Sequence, residues 1–245
     1  MNTGVHSCQE NLFDIGQKIS IDSRMNTGVY SSSMARHANF PKPLTPAQER
    51  IQQAALRLFA EKGMHDVNVR DLALRARVAR GTIYNNGQNS IKDVFEEIVH
   101  RLSAEMFERV SRTLTDIEDP VQRLSNGMRF FVRRGFKEPD WGAFIVRFAM
   151  NDDTLRQMWH GHPRKDIANG IASGRYMLRP EQVPSAVMMV AGNTVGAIFL
   201  ALHGHRSWRA AGSDAAELTL RAFGVPPQAA RTAATTDLPA LLTID

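Results

Sequence analysis

The sequence predicts an all-α protein, with an N-terminal three-helix helix-turn-helix domain joined through a long helix to a larger helical domain. Three observations predict it. Apolar residues recur at helical spacing from Thr45 onward, no later stretch shows the period of two that a half-buried strand needs, and Pro and Gly fall where helices start and stop. Composition agrees: with 43% hydrophobic and 22% charged residues in 245, the chain is neither collagenous nor wholly disordered, and it is long enough to bury a core. The single cysteine, Cys8, excludes a disulfide scaffold and makes a reducing cytoplasm the simplest compartment.

Residues 1–44 lack a persistent apolar period and are rich in Ser, Asn and Gly, which predicts a disordered leader. Met1–Ser7 recurs almost unchanged as Met25–Ser31, a repeat too short for a solenoid that fits a cloning scar or an over-long start, with Met25 and Met34 as alternative starts. Glu10, Asp14 and Asp22 interrupt any secretory apolar region. Thr45-Pro46-Ala47-Gln48 then supplies an N-cap, a proline at the first helical position and a Gln three residues after the cap. Ile51, Ala54, Ala55, Leu58 and Phe59 form one stripe, and Gly63 supplies the stop, so the first helix spans about 45–62. Asn68 caps a second helix that ends near Arg75, and a third runs from about Ala79 to Asn85 after the turn Ala76-Arg77-Val78. Further helices are expected near 91–114, 119–137, 140–150, 153–175, 180–204 and 213–223, with Pro120, Pro139, Pro163, Pro180 and Pro184 at starts or kinks. Gly224-Val225-Pro226-Pro227 ends the fold, leaving 226–245 as a frayed tail.

Two short helices joined by a tight turn and braced by a longer one form a unit that places its second helix in a DNA major groove. The charge supports this. Between Val69 and Lys92, Arg70, Arg75, Arg77, Arg80 and Lys92 face Asp71 alone, so +4 of the chain's +5 lies in twenty-four residues. Such clustering suits phosphate neutralisation with counterion release.

Ile51–Phe59, Glu61-Lys62-Gly63, Val67–Ala73, Val78-Ala79-Arg80-Gly81-Thr82-Ile83-Tyr84 and Val94-Phe95 together resemble the N-terminal domain of the TetR family of bacterial transcription regulators, over about 45–105. The resemblance implies that Ala79–Asn85 is the recognition helix. Gly81 permits close approach, the Thr82 and Tyr84 hydroxyls suit phosphate oxygens, Arg80 and Asn85 reach base edges or backbone, and Arg70 and Lys92 add phosphate contacts. Tyr84 as a core aromatic with its hydroxyl at the rim, and Arg70 as a solvated charge, are the alternatives. The chain departs from the family pattern in three places. Arg77 stands where Gly is common, so a left-handed turn there costs about 1 kcal/mol. Asn85–Ser90 lacks the usual aromatic and is one residue longer, and Ile91 occupies the position of a frequent lysine, with Lys92 beside it. DNA binding is expected to survive with a looser recognition helix.

For residues 106–225 the resemblance implies a ligand-binding and dimerisation domain, although these residues match the family only in length and helical character. Its inducer pocket would draw on Met128, Phe131, Trp141, Phe144, Phe148, Trp159, Met189 and Asn193, a set suited to a small apolar or aromatic effector, while core packing is the plainer reading of most of them. Val183–Leu202 carries no charge and contains Gly192-x-x-x-Gly196, which raises a membrane span; Pro184, Ser185, Asn193 and Thr194 and the absence of another span favour a buried helix instead. The family's dimer interface lies on the last two long helices, which assigns Gly192, Gly196, Ala197, Ala201, Leu218, Ala222 and Phe223 to a homodimer contact. His160-Gly161-His162 and His203-Gly204-His205 invite a metal reading, yet residues two apart do not share a helix face and no Cys or clustered carboxylate completes either set, so no cofactor or metal is expected.

The sequence thus favours a ligand-responsive regulator that binds a palindromic double-stranded operator as a homodimer, usually as a repressor by the resemblance. An enzyme is disfavoured, because there is no activated nucleophile, Gly-rich phosphate loop or pair of carboxylates at a recurring spacing. A helical scaffold with a disabled reading head is the remaining alternative, should the 85–92 loop prevent DNA binding.

Overall fold

Thr45 begins the described fold with both bonds of a capping box: its hydroxyl accepts from Gln48 N at 3.3 Å, and its own N–H donates to Gln48 Oε1 at 2.9 Å. The computed structural model describes residues 44–85, 90–151, 155, 159 and 161–243, and all its described residues in regular structure are helical. The helices are α1 (Pro46–Lys62), α2 (Val69–Ala76), α3 (Arg80–Asn85), α4 (Ile91–Thr113), α5 (Pro120–Lys137), α6 (Pro139–Phe148), α7 (His162–Ala172), α8 (Val183–Leu202), α9 (Trp208–Ala222) and α10 (Pro227–Thr235), with one 3-10 turn at Pro180–Gln182. The leader expected over 1–44, with its repeat and Cys8, lies outside the described residues apart from Leu44.

Local chemistry sets most boundaries. Gly63, at φ +88, ends α1 with its N–H on the Phe59 carbonyl at 2.9 Å, and the Asn68 side chain caps α2 through Asp71 N at 2.9 Å. Ser90 and Asp93 form a second capping box at the start of α4, a signal the sequence reading passed over. Arg77 takes the left-handed conformation at φ 54, ψ 48, so the strain expected at this turn is present, and its N–H accepts the role of closing α2 by donating to Leu74 O.

Three expected segments differ. The helix expected over 153–175 is broken: the backbone is helical at Leu155 and Trp159, Gly161 leaves helical geometry at ψ −110, and α7 starts at His162 with Pro163 in its first turn, where a missing N–H costs nothing. The last long helix begins at Trp208 rather than 213, because the Ser207 hydroxyl accepts from Ala210 N. Residues 227–235, expected to fray, form α10 with Ala230, Ala233 and Ala234 buried. Tertiary bonds hold it: Gln122 and Ser125 of α5 donate to the Ala233 carbonyl at 3.0 and 2.9 Å, and Ser213 of α9 donates to Ala234 O at 2.7 Å.

The C-terminal body wraps around α5, which packs against α6, α7, α8, α9 and α10. Close approach depends on small residues. A Cβ on Gly142 of α6 would sit 2.5 Å from the Gly135 carbonyl of α5, and one on Gly135 would sit 2.7 Å from Ile198 of α8. Arg123 ties the α4–α5 connection to α7, donating to Asp166 at 2.9 Å and to the Ile117 carbonyl at 2.9 Å. In the N-terminal head, α1 packs against α2 and also against α6, so the head docks directly on the body.

Candidate functional site

The candidate nucleic-acid interface is the outer face of α2 and α3. Leu72, Ala73 and Ala76 of α2 and Ile83 of α3 are buried, which turns Arg70, Leu74, Arg75, Arg80, Gly81 and Tyr84 outward. Arg70, Arg80 and Gly81 are exposed, Thr82 is half-buried, and Tyr84 is 46% exposed, so its ring is not a core aromatic. Asn85 is the last residue of α3; its side chain and residues 86–89, and with them the expected looseness of the 85–92 loop, lie outside the described residues.

Ion pairing sorts the cations that the sequence left equivalent. Arg75 pairs with Glu61 at 3.3 Å, Lys62 with Asp71 at 3.1 Å, and Lys92 with Glu96 at 3.4 Å. Arg70, Arg77 and Arg80 have no carboxylate partner among the described residues. Arg77, counted in the sequence with the basic cluster but not among the DNA contacts, is exposed and adds a third guanidinium beside α3 without a carboxylate partner among the described residues. A Cβ on Gly81 would meet nothing within 4 Å, so no internal contact demands glycine there.

Six of the eight residues expected around an effector fall in the body's interior. Met128, Trp141, Phe144 and Trp159 are buried, and Phe131 and Phe148 are half-buried. The aromatic rings form two groups. Phe131 lies 6.0 Å from Trp141 and 5.1 Å from Trp159 between ring centroids, and the indole N–H groups of both tryptophans are buried with no acceptor among the described residues. Phe144 and Phe148 join Phe95 of α4, at 5.5 and 5.1 Å, and Phe144 reaches Phe59 of α1 at 6.4 Å.

Met189 and Asn193 do not belong to this set. Met189 is 39% exposed on the outer face of α8, and the Asn193 amide donates to the Thr219 hydroxyl of α9 at 2.8 Å, which satisfies it within the chain.

The outer stripe of α8 carries Ser185, Met189, Gly192, Gly196 and Phe199, with His203 exposed just beyond its end, and Leu218 and Ala222 are exposed on α9. Added Cβ atoms on Gly192 and Gly196 would meet open space. Three residues expected on this face are instead internal: Ala197, Ala201 and Phe223 are at most 3% exposed, because α5 and α9 pack on that side of α8 and Phe223 stacks edge-on against Tyr176 at 5.4 Å. Pro180–Leu202 is long and apolar enough to cross a membrane by length and composition alone, and part of it is buried inside the fold. In the two His-Gly-His triplets, His162 stacks on Phe107 at 4.1 Å, and His203 packs on Phe199 at 4.1 Å.

Head and body are latched together through α6. Arg57 of α1 makes an ion pair with Asp140 at 2.7 Å, and Arg147 donates from Nη1 to the carbonyls of Ala60 and Glu61 at the end of α1, at 3.0 and 3.4 Å. Sequence spacing holds no sign of these bonds, whose partners lie more than eighty residues apart.

Residues 51–86 match the bacterial regulatory proteins of the tetR family, and residues 119–236 match the tetracyclin repressor-like C-terminal domain. No curated protein sequence matches the chain. Among solved structures, RolR in complex with resorcinol is 22% identical with a TM-score of 0.61, covering 80% of this chain and 96% of that one. The fatty acid degradation regulator FadR from Bacillus halodurans is 17% identical with a TM-score of 0.61, covering 73% and 97%. The SmeT–triclosan complex is 20% identical with a TM-score of 0.56, covering 73% and 91%. With both the reading head and the body matched in the order in which they occur, the chain belongs to the TetR family of bacterial transcription regulators.

Proposed function

We propose that the chain is a cytoplasmic repressor that binds a palindromic operator as a homodimer and is released by a small apolar or aromatic effector. The observation that carries this reading is the docking of the body's aromatic interior on the reading head: Phe144 touches Phe59 and Phe95, and Arg147 caps α1. An effector that displaces α6 therefore moves α1, and α1 carries α2 and α3. Phe131, Trp141 and Trp159 are the proposed effector contacts, and the two buried indole N–H groups, which have no acceptor among the described residues, favour a planar ligand bearing an oxygen acceptor. Resorcinol in RolR and triclosan in SmeT agree with an effector of this kind.

On DNA, Arg70, Arg77, Arg80, Thr82 and Tyr84 are the proposed contacts, with Arg77 added to the residues that the sequence singled out. The outward stripe of α8, together with Leu218 and Ala222 of α9, is the proposed dimer face, where Gly192 and Gly196 admit a second copy at close range.

The direct experiment is selection of binding sites from random DNA, followed by gel shifts and sedimentation. A dimer on a palindrome whose half-sites lie about 34–36 Å apart, or a multiple of that, is expected. A monomer at micromolar concentration, or binding without sequence preference, removes the proposal. Gly81→Ala is expected to raise thermal stability slightly, by at most about 1 kcal/mol, while weakening operator binding by closing the gap at the DNA; tighter binding of the variant would place Gly81 away from DNA. Arg147→Ala is expected to leave effector affinity in place and shrink the change in operator affinity that the effector causes, a coupling usually worth about 1–3 kcal/mol in such systems. An unchanged coupling would move the transmission route away from α6.

A further inference from the structure

Beyond α10 the chain turns back across α5 to α4. The Pro239 carbonyl accepts from Arg133 Nη1 at 3.1 Å, the Leu242 carbonyl accepts from Arg109 Nε at 3.0 Å, and Leu242 N donates to the Thr113 hydroxyl at 3.0 Å. Beside this strap lies a cleft of about 220 Å³. Its cationic wall is Arg109, Arg133, Arg134 and Lys137, and its apolar surfaces are Phe130 and, from the strap, Ala240 and Leu241.

The charge around the cleft is unbalanced. Glu105 answers Arg109 and Arg134, each at 3.0 Å, and Glu138, which also lines the cleft, answers Arg134 at 3.1 Å. Arg133 and Lys137 meet no carboxylate among the described residues; Arg133 has only the Pro239 carbonyl and the Phe130 ring, 5.2 Å away. Burial, then the like charges of Arg109 and Arg209, holds the Arg133 guanidinium below its usual pKa. The Arg134 side chain is 6% exposed and lies over Trp141 at 4.8 Å, and its Nη1 is buried without donating a hydrogen bond among the described residues. Like charges gathered around a partly buried cleft, with a buried donor that has no acceptor among the described residues, repel one another and are relieved by an anion.

We propose that this cleft binds a small amphipathic carboxylate, with its head between Arg133, Arg134 and Lys137 and its apolar part against Phe130 and Leu241. Guanidinium forks match a planar carboxylate in two parallel bonds. The volume, under the roughly 300 Å³ of drug-sized pockets, limits the ligand to a short chain or a single ring. The strap is bonded to α4 through Arg109 and Thr113, and α4 leads to the reading head, so an occupant that lifts the strap also acts on α4. This link to DNA rests on the regulator reading above; the cleft itself does not.

The test is calorimetry on the full chain with octanoate, with 1-octanol as the uncharged probe and inorganic phosphate as the head-only probe. Saturable octanoate binding is expected, at least about tenfold tighter than 1-octanol and weakened about tenfold or more by Lys137→Gln, an exposed position where substitution spares the fold, and by Arg133→Gln. Lys165→Gln, exposed on α7, should change nothing. The proposal is overturned if octanoate does not saturate, if 1-octanol binds equally, if Lys137→Gln is silent, or if phosphate competes at the same concentration, which would mark a simple ion site. Gel shifts separate the two readings. Octanoate that binds through Lys137 without changing operator affinity leaves the cleft and removes its link to DNA, whereas a protein that selects no DNA sequence removes the regulator reading and leaves the calorimetric result standing.

Discussion

Arg80→Gln is expected to weaken operator binding by roughly 10²- to 10⁴-fold. Each charge-assisted hydrogen bond lost costs about 1.5–3 kcal/mol, and a homodimer loses it at two half-sites. The thermal transition should hardly move, because Arg80 is exposed and has no carboxylate partner among the described residues whose loss would disturb the fold. Salt dependence then distinguishes its two possible partners on DNA. If both copies sit on phosphates, the slope of log affinity against log salt falls in magnitude by about 2; if they read base edges, the slope holds and discrimination among operator variants relaxes. Equal affinity, slope and sequence preference in the variant and the parent would show that α3 is not the reading helix. Arg75→Gln is the contrasting variant, since Arg75 is tied to Glu61 and should matter far less to DNA.

Phe144→Ala is expected to cost about 3–5 kcal/mol of stability, a large fraction of the 5–15 kcal/mol typical of a domain. Phe144 is fully buried and is placed where α1, α4 and α6 meet, with Phe59, Phe95 and Phe148 around it at 6.4, 5.5 and 5.0 Å. Removing the ring leaves a cavity between two packed units rather than inside one, so the loss should appear as uncoupling as well as destabilisation. Chemical denaturation followed by circular dichroism and by tryptophan fluorescence checks this. All three tryptophans, Trp141, Trp159 and Trp208, lie in the body, so the fluorescence reports the body while the dichroism also includes the head. In the parent the two transitions should coincide, and in Phe144→Ala the dichroism should begin to change first. A variant within about 1 kcal/mol of the parent, with coincident transitions, would show that the interface between head and body does not depend on this residue.

Local chemistry explains why the head was so legible. Thr45, Pro46 and Gln48 start α1, Gly63 stops it and Asn68 starts α2, each acting through bonds within four residues, so periodicity and capping residues locate these helices closely. The broken 153–175 helix and the early start of α9 were harder to read, although Gly161, Pro163 and Ser207 were there as signals. The helix after Pro226 departs from the sequence expectation for a different reason. Ala230, Ala233 and Ala234 make a weak apolar pattern, and the helix is held by Gln122, Ser125 and Ser213, partners that only the fold brings near.

At the candidate sites the division is sharper. The sequence by itself determined the all-helical class, the helix-turn-helix, the family and the concentration of positive charge over Val69–Lys92, because helix periodicity, caps and charge count are properties of neighbouring residues. Only the tertiary structure decided how those charges are partnered, since Glu61 and Asp71 reach Arg75 and Lys62 across the α1–α2 contact and leave Arg70, Arg77 and Arg80 without a carboxylate among the described residues. It also decided that Ala197 and Ala201 face inward while Gly192 and Gly196 face outward. α8 is apolar nearly all round, so composition cannot say which side meets α5 and which is left for a second copy. The Arg57–Asp140 and Arg147 latches and the cationic cleft under the strap depend on residues from distant parts of the chain, and their chemistry exists only once packing has brought them together.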